Sequence, residues 1–296
     1  MGYIGRFAPS PTGRLHAGSL VAALASWLDA KANRGLWLVR IEDVDTTRCK
    51  EAWGYDILQQ LSSLWLHHDR MIVWQSSRTN LYQNALERLI SQNLCYRCIC
   101  SRKAILHALG MNQNKTRNIE LIYPGTCRST NHQIPHSTWR LQTNTAKFSS
   151  VSSWIDRNLG LQNQDVEKTV GDFILKRSDE CFSYQLAVVV DDSAQNVSCV
   201  VRGQDLIDNT GRQILIQKML GLPALNYLHT PLVLTPQGEK LSKQSGAPEL
   251  DTTKPLERLQ EAAITLGLTR IDTRIPTQEA LQFWVNEWAF LYNLKL

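Results

Sequence analysis

At 296 residues, with 43% hydrophobic residues and nine Trp, the chain is a globular protein with a large core, not a repeat or low-complexity polypeptide. A formal net charge of +5 allows a polyanionic partner without demonstrating one. Met1–Arg6 lacks the basic-then-apolar pattern of a signal peptide, and the apolar run Leu20–Leu28 is too short to cross a bilayer, so a cytoplasmic protein is expected.

In chain order, Tyr3–Ala8 reads as a strand and Ser19–Arg34 as a helix. The helix carries Leu20, Val21, Leu24, Trp27 and Leu28 at helical spacing, and Gly35 is placed to end it. Leu36–Ile41 is a second apolar strand. Amphipathic helices follow at Trp53–Leu66 and Thr79–Gln92, with a strand at Ile72–Trp74 between them. Alternating strands and helices predict an α/β fold with a parallel sheet. The pattern breaks from Cys95 to about Lys168, which reads as an inserted domain with strand-like pieces such as Thr138–Thr143. It resumes at Asp172–Lys176, Leu186–Val190, a strand Val197–Arg202 and a helix Asp205–Leu220 ended by Gly221. Helices Pro255–Leu266 and Thr277–Tyr292 close the chain. The expected division is 1–94, 95–168, 169–226 and 227–296. Trp27, Trp37, Trp53, Trp65 and Trp74 are expected in the core, whereas exposed rings among Trp139, Trp154 and Trp284 would suit stacking on RNA bases.

Two motifs carry the chemistry. Arg6-Phe7-Ala8-Pro9-Ser10-Pro11-Thr12-Gly13 leads into His16-Ala17-Gly18-Ser19, a strand, tight loop and helix start that turns backbone amides toward an anion. Far downstream stands Lys240-Leu241-Ser242-Lys243-Gln244. Lysines there would hold the β- and γ-phosphates of ATP while His16 donates to a phosphate oxygen in the transition state, and Gly18 would let adenine approach the backbone. Either motif alone is weak. Their joint presence and order point to ATP held by its phosphates at two ends of one cleft.

The pair resembles the HIGH and KMSKS signatures of class I aminoacyl-tRNA synthetases, with Ser19 for the last His of the first and Leu241 for the Met of the second. The runs Arg6–Leu20, Val39–Asp45, Tyr184–Asp192 and Val201–Leu206 resemble the glutamyl/glutaminyl subgroup. That resemblance implies a Rossmann-like, doubly wound catalytic domain that binds ATP with Mg2+ through Pro9, Gly13, His16, Gly18, Ser19 and Lys243. It also implies His16, Lys240 and Lys243 as catalytic residues and a glutamate pocket of Arg6, Ala8, Ser10, Glu42, Tyr184 and Arg202. Two guanidinium groups suit a substrate with a side-chain carboxylate; glutamine would leave an arginine charge without a partner. Residues 245–296 are too few for a full anticodon-reading domain. The chain therefore resembles the tail-less paralogues, the glutamyl-queuosine tRNA(Asp) synthetases. Membership implies glutamate activation without tRNA, then transfer to queuosine in the anticodon loop of tRNA(Asp), by a protein expected to be a monomer. The alternative is a minimal glutamyl-tRNA synthetase charging a 3′ end. A nucleotidylyltransferase fits less well because it has no use for an amino-acid pocket, and a silent RNA-binding paralogue has no use for His16, Lys240 and Lys243.

Seven Cys, three of them within residues 95–100, read as metal ligands or reduced thiols. Spacing alone selects Cys95, Cys98, Cys100 and Cys127 for one structural Zn2+. The family pattern instead implies Cys98, Cys100, Tyr123 and Cys127, with Cys95 as the replacement if Tyr123 does not ligate.

Overall fold

Strand β1 (Ile4–Phe7) and strand β2 (Leu36–Ile41) flank helix α1 (Ala17–Ala32) and pair in parallel, Arg6 opposite Leu38. Helix α2 (Glu51–Ser63) crosses to strand β3 (Val73–Trp74), which extends β2 in the same sense, and helix α3 (Thr79–Ser91) follows. The structure, a computed structural model, describes residues 2–111, 121–130, 134–135, 137–233 and 249–294. Next come strand β4 (Cys95–Cys98), helix α4 (Arg102–Ala108), strand β5 (Thr138–Leu141), strand β6 (Val151–Asp156), strand β7 (Gly160–Asp165), helix α5 (Val166–Thr169) and strand β8 (Ile174–Lys176). Helix α6 (Tyr184–Ala194), strand β9 (Cys199–Gly203), helix α7 (Ile207–Leu220), strand β10 (Asn226–Thr230), helix α8 (Pro255–Thr265) and helix α9 (Thr277–Leu291) complete the described elements.

The strands group as β1-β2-β3, β7-β6-β10-β9 and β4-β5-β8. The first two groups meet where the Ser198 N–H donates to the Ile4 carbonyl at 2.9 Å, so β1 lies beside β9. β9, β10 and β6 run parallel, while β7 is antiparallel to β6. Chain order reverses across the β1–β9 line, the position at which open α/β sheets form a crevice beyond the carboxyl ends of their strands. β10 was not anticipated. β6 and β7 fall in the expected 95–168 segment yet join β10, and β8 falls in 169–226 yet pairs with β5. Hydrogen bonding here joins strands that lie far apart in sequence.

Alternate side chains of β9 explain why both faces carry helices. Cys199 and Val201 enter a core with Leu20, Leu24 and Leu28 of α1, whereas Val200 packs with Ile214 of α7 and Tyr227 of β10. The α1 core also takes Leu259 of α8 and Trp284 and Trp288 of α9. A further core joins Leu86 of α3, Val189 of α6 and Leu215 of α7.

Local details correct the sequence reading. α1 starts at Ala17, before the expected Ser19, and it ends on Asn33 with Arg34 at φ 51°. Gly35 is needed for close approach instead: a Cβ there would lie 2.4 Å from the Tyr3 carbonyl oxygen. Gly221 does end its helix, at φ 63°. Trp284 is fully buried and unavailable for stacking on RNA, while Trp65, expected in the core, is 42% exposed. Among the described residues no helix is long and apolar enough to cross a membrane.

Candidate active site

The segment after β1 is pinned before α1 begins. The Pro9 carbonyl accepts from Glu42 N at 2.9 Å and the Pro11 carbonyl from Lys50 N at 3.0 Å, which holds the Pro/Gly loop against the residues that follow β2. His16 is the N-cap of α1, and its Nδ1 accepts from Ser19 N at 3.3 Å. That acceptor role places the proton of the neutral ring on Nε2. Pro9 and Gly13 of the loop and Gly18 and Ser19 of the first turn of α1 are half-buried, and Ser10 is exposed. Gln60 of α2 adds a clasp the sequence did not reveal. Its Oε1 accepts from Leu15 N at 2.8 Å and its Nε2 donates to the Leu250 carbonyl at 3.3 Å, while Leu250 N donates to the Leu15 carbonyl at 3.0 Å. Lys240 and Lys243 lie outside the described residues.

Arg6 near the end of β1, Glu42 just past β2 and Arg202 near the end of β9 stand at the carboxyl edge of the sheet, with Tyr184 at the first turn of α6. Arg6, Glu42 and Arg202 are buried, and the Tyr184 hydroxyl, whose phenol burial pushes up, lies 3.3 Å from Arg202 Nη1 and feels the charges of Glu42 and Arg6. Ala8 follows β1 and is half-buried.

Each charge has a partner that sequence reasoning missed. Arg6 Nε donates to Asp192 Oδ1 at 3.1 Å, and Arg40 Nη2 donates to the same oxygen at 2.7 Å and to Glu42 Oε1 at 3.2 Å. Asp192 stood in a quoted motif with no role, and only the turn of α6 toward β1 and β2 shows that it balances both arginines. Burial pushes the Glu42 carboxyl up to about 7, against the pull of Arg40 and Arg6. The Asp192 carboxyl is also penalised by burial, but Arg6 and Arg40 overcome that penalty and hold it below its ordinary range. Arg202 Nη1 donates to Gln213 Oε1 at 2.8 Å and to the Tyr184 hydroxyl at 3.3 Å.

The cysteine cluster lies on the β4-β5-β8 side of the molecule. Sγ atoms of Cys98, Cys100 and Cys127 all lie within 4.8 Å of one another. The Tyr123 hydroxyl sits among them, 3.3 Å from Cys98 Sγ and 3.5 Å from Cys100 Sγ, and it accepts from Cys127 N at 3.0 Å. Burial raises the Cys100 thiol to about 11 and the Tyr123 phenol well above its usual range. Three soft sulfur donors with one oxygen fit the tetrahedral preference of zinc, whose charge would stabilise the thiolates that burial disfavours. Cys95 is not part of this cluster. It lies an odd number of residues from Cys98 along β4, so it points to the opposite face and packs against the core that holds Leu86 and Val189.

Residues 4–278 match the model of the class I tRNA synthetase (E and Q) catalytic domain. A glutamyl-Q tRNA(Asp) synthetase of Albidiferax ferrireducens is 55% identical over 97% of this chain and 98% of its own length. One from Leptothrix cholodnii is 52% identical over 96% of each. Among solved structures, a glutamate tRNA ligase from Elizabethkingia meningosepticum superposes with a TM-score of 0.70 at 24% identity over 83% of this chain. The chain spans about half (53%) of that ligase, a likeness that concerns the fold alone. The parallel sheet whose chain order reverses at the β1–β9 line and identity above one half across nearly the whole length agree: the chain belongs to the class I tRNA synthetases of the E and Q type and, within them, to the glutamyl-Q tRNA(Asp) synthetases.

Proposed function

We propose that this chain activates L-glutamate with ATP, without needing tRNA, and transfers the glutamyl group to the queuosine base in the anticodon loop of tRNA(Asp). The observation that supports the reading is the grouping of Arg6, Glu42 and Arg202 at the carboxyl edge of the sheet, with the Tyr184 hydroxyl 3.3 Å from Arg202 Nη1. Glu42 would take the α-ammonium group, since it is a buried carboxylate held by a single arginine contact. Arg6, Arg202 and the Tyr184 hydroxyl would receive the side-chain carboxylate, with Ala8 and Ser10 lining the approach.

The α-carboxylate would then attack the α-phosphorus of ATP and pyrophosphate would leave, its charge spread by Lys240 and Lys243; Mg2+ bound with ATP would supply further charge neutralisation. The Nε2–H of His16 would donate to a phosphate oxygen, Pro9, Gly13 and Ser19 would cradle the phosphates, and Gly18 would admit the adenine. A hydroxyl of the queuosine cyclopentenediol next attacks the acyl carbon and displaces AMP. Cys98, Cys100, Tyr123 and Cys127 would hold a structural Zn2+ that ties β4 to residues 123–127. The divisions 1–94, 95–168, 169–226 and 227–296 would serve in this reading as catalytic first half, zinc-bearing insertion, catalytic second half and stem-contact segment of a cytoplasmic monomer, with β6, β7 and β10 joining the catalytic sheet and α8 and α9 its core across those bounds.

The test is transfer of labelled glutamate to tRNA(Asp) with and without queuosine, beside tRNA(Glu). Labelling confined to the queuosine-bearing tRNA and surviving removal of its 3′ end is the expected result. Label on the 3′ adenosine of tRNA(Glu) would make the chain a minimal glutamyl-tRNA synthetase instead.

A further inference from the structure

Arg6 and Arg202 differ in how the protein holds them. Arg6 is paired directly with a buried carboxylate, Asp192, through Nε at 3.1 Å and Nη2 at 3.4 Å. Among the described residues Arg202 meets only uncharged partners at hydrogen-bond distance: His229 Nε2 at 3.1 Å from its Nε, Thr210 Oγ1 at 2.8 Å from its Nη2, and Gln213 and Tyr184 at its Nη1. A guanidinium only donates, so His229 Nε2 must present its lone pair and the ring proton resides on Nδ1. That proton points at Asp156 Oδ2, 2.6 Å away, and both His229 and Asp156 are buried. The other oxygen of Asp156 is fixed by backbone donors, Asn158 N and Leu159 N at 3.0 Å each and His229 N at 3.3 Å. Burial lowers the basicity of His229, which agrees with a neutral ring.

From this geometry we infer that Asp156 and His229 are positioning residues that set the selectivity of the pocket for a carboxylate: they lock the orientation of Arg202 without neutralising it. A carboxylate in the place of His229 would hold the guanidinium equally well but would cancel the charge a substrate carboxylate needs. An imidazole in the Nδ1–H tautomer supplies an acceptor with no charge and leaves the balancing anion one ring further away. Asp156 ends β6 and His229 stands near the end of β10, so adjacent parallel strands deliver them to the edge where Arg202 stands near the end of β9. Asp156 selects the tautomer, His229 orients Nε of Arg202, and Nη1 is shared between Gln213 and Tyr184. The inference rests on the reading of Arg202 as a glutamate-binding residue.

The experiment is glutamate-dependent ATP–pyrophosphate exchange, with KM for glutamate and for ATP measured separately on folded, full-length variants. Arg202→Ala tests the underlying reading and should raise the glutamate KM by about a hundredfold or more. His229→Leu removes the acceptor and should raise the glutamate KM by roughly tenfold, with the ATP KM unchanged. His229→Gln retains an uncharged acceptor oxygen and should recover most of that loss, which a merely structural role would not predict. Asp156→Asn keeps an oxygen for the backbone donors and turns its NH2 to Nδ1. The ring proton then moves to Nε2, where it opposes Arg202 Nε–H, and the glutamate KM should rise as it does for His229→Leu. If Arg202→Ala weakens glutamate while His229→Leu and Asp156→Asn keep the wild-type KM, the positioning role is overturned and the pocket stands. If Arg202→Ala leaves the glutamate KM unchanged, the pocket reading itself fails. Should Asp156→Asn not fold, the comparison of His229→Gln with His229→Leu decides: equal glutamate KM values for the two overturn the inference.

Discussion

Trp288 Nε1 donates to Asp29 Oδ1 at 2.9 Å, which ties the last described helix to the helix that His16 caps. Asp29 is fully buried and also receives the Tyr3 hydroxyl and Arg157 Nη1, the latter at 2.7 Å. One carboxylate therefore joins the segment leading into β1, helix α1, the β6–β7 hairpin and α9. The C-terminal helices are part of the catalytic body's core and not an appendage to it.

Trp288→Phe keeps an aromatic ring in that core but removes the N–H together with part of the buried indole, so a cavity cost adds to the lost hydrogen bond. Losing one hydrogen bond to a buried charged acceptor should cost about 1–3 kcal/mol of stability. Urea denaturation of the two proteins measures this, and an unchanged midpoint would show that Tyr3 and Arg157 satisfy Asp29 without it.

Glu42 gives a pH dependence with a definite sign. Its carboxyl sits at about 7 in the folded chain against an ordinary value of 4.5, so between those values the folded state binds more protons than the unfolded one. This group's contribution to stability therefore falls as pH rises through that window. Glutamate binding runs the other way, because only the ionised carboxylate holds an ammonium group. The glutamate KM should rise as pH drops below about 7 in pyrophosphate exchange, and Glu42→Gln should remove that dependence. A glutamate KM flat across this range in the wild type would argue against Glu42 as the ammonium partner.

Zinc content separates the competing ligand sets. Cys98→Ser and Cys127→Ser should lose the metal, and Cys95→Ser should retain about one zinc per chain by elemental analysis. Zinc loss in Cys95→Ser with an intact fold would restore the set that spacing alone selects. Chelation should lower the thermal midpoint of the wild type, because metal-binding free energy is folding free energy at such a site.

Gln60→Ala should strand the backbone N–H of Leu15, which is buried, at a cost of about 1–3 kcal/mol. The same change frees Leu250 from α2, so the ATP KM should rise more than the glutamate KM. Equal shifts in both would mark the clasp as purely structural.

The sequence by itself determined the strand–loop–helix start that holds His16, the parallel α/β class and the presence of Arg6, Glu42, Tyr184 and Arg202 in one family pattern. The first two follow from local rules, since apolar periodicity and turn chemistry act over a few residues and leave their mark in the string, whereas the set of four is what the family resemblance implies. Tertiary structure alone decided which charges face each other. Asp192 serves Arg6 and Arg40, Asp156 reaches Arg202 through His229, and Gln60 clasps Leu15 to Leu250 across separations no local pattern encodes. Strand alternation excluded Cys95 from the cysteine cluster, and the closing of the core over α9 buried Trp284, because side-chain direction and burial depend on what packs opposite.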